Sequence, residues 1–128
     1  MKTLTIVLTA VISLALFAQS EKTIESAPAN YLKALKSDND GMVESTIFHS
    51  LKYKMYYPER NTAQLETEIE NLIENGKTES IRYKAFLADQ FMHNSKLLNK
   101  IEKRNYKDEA EFFKMLGKEL NNYFLAAK

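Results

Sequence analysis

The chain offers catalysis two histidines, His49 and His93, and no cysteine. Ser45 stands four residues before His49, which puts a hydroxyl and an imidazole on one face of a helix. A nucleophilic pair also needs a group to orient the imidazole. Glu44 lies about 100° round the helix from its neighbour Ser45, a poor position for that role. There is no strand–Ser–helix elbow, no phosphate loop and no dinucleotide fingerprint. Neither histidine has a second His, a Cys or a carboxylate at zinc-site spacing, and His49 is expected to border the core of its helix. The stretch from Lys36 to Gly41 has the look of a calcium loop. Setting Gly41 at the loop's sixth position puts Lys36 at the first ligand position and Ile47 at the twelfth, where acids are required. Glu66 and Glu70 are better read as a solvated helix face than as a glycosidase pair, which also needs a sugar cleft. The expectation is no catalytic residue, no metal and no cofactor.

Binding chemistry has more material. Lys52, Tyr53, Lys54, Tyr56 and Tyr57 form a basic–aromatic cluster, followed by Arg60. Tyr and Arg are favoured interface anchors, so Lys52, Tyr53, Tyr56, Tyr57 and Arg60 are the candidate partner-binding residues. The alternative is that Tyr53 and Tyr56 pack inward while the lysines solubilise. Charge is also uneven. Residues 59–79 carry a net −4 and residues 82–107 a net +5. Opposed patches could serve head-to-tail self-association or a polar partner, and neutralisation between neighbouring helices is the competing account.

These residues need elements to hold them. Thr3 to Ala18 carries no charge and follows Met1-Lys2. A positive start, an apolar centre and small residues read as a secretory signal peptide over 1–20, with cleavage after Ala18 or after Ser20. The apolar stretch falls short of the ~20 residues that span a bilayer, so no stable membrane anchor is expected once the leader is removed. The expected location is secreted or periplasmic. Without the leader's Lys2 the chain has 17 basic and 17 acidic residues, and a neutral protein is a poor general binder of nucleic acid. Hydrophobic residues at 45% and charged residues at 27% suit a globular domain.

Residues 21–28 are polar, contain Pro28, and read as an extended arm before a domain over 29–128. Tyr31, Leu32 and Leu35 predict a helix over 29–37. Val43, Ile47, Phe48, Leu51 and Met55 predict one over 41–56, which Pro58 ends. Leu65, Ile69, Leu72 and Ile73 predict 62–75. The helix over 78–92 is apolar nearly all round, with Ile81, Tyr83, Ala85, Phe86, Leu87, Ala88, Phe91 and Met92, and is expected at the centre of the domain. Leu97, Leu98 and Ile101 predict a short helix over 95–103. Asp108 to Glu111 has a capping-box pattern and opens a last helix over 108–125. No run of alternating polarity argues for a strand.

A phrase recurs at an interval of 35 residues: Asp40-Gly41-Met42-Val43-Glu44-Ser45 and Asn75-Gly76-Lys77-Thr78-Glu79-Ser80. Asp40-Gly41 and Asn75-Gly76 read as structural corners, each glycine supplying the left-handed backbone that ends a helix. Three helix pairs follow, and a non-repeating bundle of five or six helices is the competing architecture. At the turn, Asp40, Val43, Ile47 and Leu51, and less fully Asn75, Thr78 and Phe86, resemble the corner and second helix of HEAT-type repeats, with Glu44 and Glu79 where that family has Arg. The chain also looks like small exported bacterial proteins that carry such pairs. The resemblance implies a short right-handed stack whose second helices form a concave binding face. The fold class expected is all-α, with stacked antiparallel helix pairs. The function expected is an exported, non-enzymatic interaction module for a protein partner, seated on the helices at 41–56 and 78–92. The alternatives are a small helical ligand carrier or enzyme using His49 or His93, and a subunit of a larger envelope assembly. The last would show an apolar strip around Phe112, Phe113 and Phe124.

Overall fold

The computed structural model describes residues 20–127; the leader expected over 1–20 lies outside these except for Ser20. The described chain is all-α, with no strand among the described residues. Helix α1 runs to residue 35 and is already formed at residue 20. It is followed by α2 (Asp40–Tyr56), α3 (Ala63–Asn75), α4 (Glu79–Met92), the single turn α5 (Ser95–Leu98) and α6 (Glu109–Ala126).

Local chemistry sets most of these boundaries. Asn39 caps α2 by accepting the Met42 amide at 3.0 Å, and Thr78 caps α4 by accepting the Ile81 amide at 3.1 Å. Asp108 accepts from the Glu111 amide and opens α6. Each such cap satisfies an amide that the first helical turn leaves without a partner. The glycine mechanism expected at the corners is corrected, since no described glycine has a positive φ. Gly41 falls inside the first turn of α2 because the cap is Asn39. Gly76 has φ −58° and ψ 139°. What Gly76 provides is room: a Cβ there would sit 2.6 Å from the Leu72 carbonyl oxygen and 2.8 Å from Ile81 Cγ2. Arg82 closes this corner by donating to the Gly76 carbonyl at 2.7 Å.

The expected arm over 21–28 is helical instead, and Pro28 sits within α1 rather than at its start. A proline inside a helix leaves the carbonyl four residues earlier without its amide partner. Here that carbonyl is Ile24, and the Tyr53 hydroxyl donates to it at 2.9 Å. A tertiary contact thus replaces the missing rung. Glu21 pairs with Arg60 and fastens the same end.

Helices α1 and α3 run side by side, as do α2 and α4. Glu25, Pro28 and Ala29 face Asn61 and Leu65, while Leu32 and Lys36 face Thr67 and Glu68. The two corners therefore meet, and Lys77 of the second lies 3.5 Å from Asp40 of the first. The third pair departs from expectation. Its first helix is one turn rather than 95–103, and an irregular segment over 99–108 leads to α6. The interval of 35 residues does not match equivalent surfaces either: buried Phe48, Leu51 and Phe91 align with exposed Tyr83, Phe86 and Tyr56.

Helix α4 is central, packing on α2, α3, α5 and α6. Ile47 and Leu51 of α2, Leu65 and Ile69 of α3, Ala85 and Phe91 of α4, and Phe112 and Leu116 of α6 are fully or almost fully buried. Each large apolar side chain so buried contributes about 1.5–3 kcal/mol. Tyr83 and Phe86 were expected in this core but lie outside it.

Candidate functional site

The basic–aromatic cluster is largely committed to the fold. The Tyr53 side chain is buried, its hydroxyl on Ile24, its ring edge-on to Tyr31 at 6.3 Å and 5.1 Å from Tyr57. Burial raises the phenol pKa of both Tyr31 and Tyr53. Arg60 is held by Glu21. Lys52 donates to the Tyr106 carbonyl at 3.3 Å and lies 5.0 Å over the Phe48 ring. Tyr57 is half-buried, and Tyr56 alone of the five is exposed. The anchors do form an interface, between α1 and the end of α2.

The histidines stand apart from each other. His49 stacks on Tyr31 at 6.3 Å beside Phe48. Partial burial, then nearby Lys52, lowers its pKa, with Glu109 opposing. No hydrogen bond joins it to Ser45 among the described residues. His93 is half-exposed and lies between two acids, Nδ1 2.8 Å from Asp89 Oδ1 and Nε2 3.4 Å from Glu66 Oε2. The other Glu66 oxygen takes Lys54 at 2.8 Å and the Thr62 hydroxyl at 2.6 Å. Burial alone would raise the Glu66 carboxyl, but the bonds from Lys54 and Thr62 outweigh it and hold the pKa low. With both ring nitrogens facing carboxylates, His93 works as a clasp tying α4 to α3, and through Lys54 to α2. Among the described residues, no three His, Cys, Asp or Glu side chains converge as a metal site.

The face between α2 and α4, where a partner was expected, is covered by α6. Phe112 and Phe113 reach Phe48 of α2 at 5.1 and 6.5 Å. Lys84 bridges Glu44 of α2 at 2.7 Å and Glu109 of α6 at 2.9 Å, 5.4 Å over the Phe113 ring. Burial alone would lower the Lys84 ammonium, and its two carboxylates raise it instead. Phe112 and Phe113 are therefore inside, and of the strip expected on the last helix only Phe124 is exposed, next to Leu125.

Apolar exposure gathers instead on the outer side of α4. Tyr83 is 56% exposed and Phe86 37%. The Tyr83 hydroxyl lies against α6, where a Cβ on Gly117 would come within 3.1 Å of it. Gly117 and Phe124 share a face of α6, seven residues apart, so Phe124 extends the same flank. Sequence reasoning missed this site because Tyr83 and Phe86 sit among Ile81, Ala85, Leu87 and Ala88, so the whole helix reads as apolar. The available signal was the helical period: positions 83, 86 and 90 fall opposite 81, 85, 88 and 92. The hollows are shallow. One of about 370 Å³ lies between α1 and α3, and another of about 310 Å³ lies at the meeting of the corners. Neither is lined by His49 or His93.

In comparison with known proteins, no family model, curated protein or solved structure matches the chain.

Proposed function

We propose that the chain is an exported, non-enzymatic helical interaction module that binds a protein partner on the outer face of α4. The observation that carries this reading is the exposed pair Tyr83 and Phe86. The central helix of the domain turns two aromatic rings to solvent, beside Arg82 and the flank of α6 that ends in Phe124. Aromatic and arginine side chains grouped in this way are what interfaces use as anchors. Export rests on the leader pattern over 1–20. The paired corners support a HEAT-like stack for α1 to α4, closed on its concave side by α6. A second reading, a subunit of a larger envelope assembly, is favoured by exposed Phe124 and Leu125 at the end of α6.

Affinity capture from the native envelope fraction, read by mass spectrometry, tests both readings. The expected result is a protein retained by the native chain and lost with a Tyr83→Ala/Phe86→Ala variant of unchanged melting temperature. A partner lost with Phe124→Ala/Leu125→Ala alone would select the assembly reading. Capture of nothing above background, together with tight binding of a small molecule near His93, would overturn both.

A further inference from the structure

Neighbouring helices neutralise part of each charged block, as the expectation had it, but the two blocks barely pair with each other and leave an acidic and a basic surface bare. Among the described residues, one contact of this kind joins the acidic 59–79 segment to the basic 82–107 segment, that of the His93 imidazole with Glu66 at 3.4 Å. The other bridges tie these segments to other parts of the chain or, like Lys54 with Glu66, bring in a base from outside. Glu70 and Glu74 face outward from α3 and, among the described residues, take no base. They border a shallow hollow of about 320 Å³ with Thr67, Asn71 and Asn75. The Asn75 amide donates to Asn71 at 2.8 Å and fixes the row.

The unpaired bases lie on another side. Helix α4 stands between α3 and α6, and the 99–108 segment is bound to α2 and α6. It is irregular but held: Lys52 donates to the Tyr106 carbonyl, the Tyr106 ring meets Phe112 at 4.8 Å, and its hydroxyl donates to the Glu102 carbonyl. On this support Arg104 lies 4.7 Å over the Tyr106 ring and Lys100 lies 5.6 Å over Tyr123. Lys103 and Lys107 are exposed on the same segment. Among the described residues none of the four forms a salt bridge, although Glu102 and Glu111 lie near enough to act on Arg104.

We propose that the Glu70–Glu74 face of one copy binds the 100–107 basic segment of a second copy, so that molecules associate head to tail. The reasons for a second copy are that one molecule carries both complementary faces and that the chain without its leader has no net charge to oppose association. Pairing each face with its own kind would place like charges together. Because the two faces lie on different sides of the molecule, one contact uses one face of each copy and leaves the other free. The contact is heterologous and builds chains or rings. Its charges are exposed, so it is weak, quick to form and sensitive to salt. It does not depend on the outer face of α4.

Sedimentation velocity over a concentration series tests this, at about 0.01 M salt, where the screening length is about 30 Å, and at about 1 M, where it is about 3 Å. The expected result is species that grow past dimer with concentration at low salt and a monomer at high salt. Glu70→Lys/Glu74→Lys and Lys103→Glu/Lys107→Glu variants, both folded by circular dichroism, should each be monomeric. Mixed in equal amounts they should associate again, because the intact basic face of the first meets the intact acidic face of the second. A Tyr83→Ala variant should associate as the native chain does, which separates this contact from the partner site. A native chain that stays monomeric at low salt would overturn the proposal. So would single variants that associate normally, or a mixture that remains monomeric.

Discussion

Replacing Tyr53 with Phe removes one hydroxyl and leaves the ring in place between Tyr31 and Tyr57. In the native chain that hydroxyl is 2.9 Å from the Ile24 carbonyl, the group that Pro28 leaves without its helical partner. Losing it strands a partly buried acceptor, which costs about 1–2 kcal/mol. For a domain of this size that is a fall of about 4 °C in melting temperature for each kcal/mol. Pro28→Ala restores an amide able to donate to Ile24, so the same Tyr53→Phe change should cost under ~0.5 kcal/mol in that background. Urea unfolding of the native chain, both single variants and the double variant, followed by helical circular dichroism, gives the coupling directly. A Tyr53→Phe chain as stable as the native one would refute the reasoning. An equal loss in both backgrounds would show that the hydroxyl does not stand in for the missing amide.

Three further outcomes are expected. Gly76→Ala should destabilise the fold by more than 1 kcal/mol, because its Cβ meets the Leu72 carbonyl at 2.6 Å, while Gly41→Ala, with nothing nearer than 3.4 Å, should gain about 0.5–1 kcal/mol from helix propensity; thermal melts of the pair decide this. Ser50 is fully buried on α2, and its hydroxyl has no hydrogen-bond partner among the described residues. Ser50→Ala should therefore stabilise the chain by about 1 kcal/mol, read as a rise in the urea midpoint. The Glu44 carboxyl is held below its ordinary value of 4.5, chiefly by its hydrogen bond from Lys84. A depressed folded-state pKa contributes stability that is whole above the unfolded value and is lost as pH falls through the folded one. Between pH ~5 and ~3 the melting temperature of Glu44→Gln should accordingly drop less than that of the native chain.

Most of the helices and their ends were legible in the sequence because the forces that set them act within one or two turns. The apolar spacing of Leu65, Ile69 and Leu72, the stop at Pro58 and the cap at Asp108 each depend on neighbours a few residues away. The centrality of α4 followed from its apolar composition for the same reason. Tertiary structure decided whatever depends on residues far apart in the chain. Helix α1 continues through Pro28 because a hydroxyl 29 positions beyond Ile24 supplies the missing hydrogen bond. A helix apolar all round does not specify which of its sides stays bare. Tyr83 and Phe86 remain outside because the 99–108 segment carries α6 over the α2–α4 face, where Phe112 and Phe113 find Phe48. The charge blocks could be counted along the chain, but only the packing of α3 and the 99–108 segment placed them on separate faces. Local spacing determines which residues can form a helix, and the order in which helices cover one another determines which of those residues are left to act.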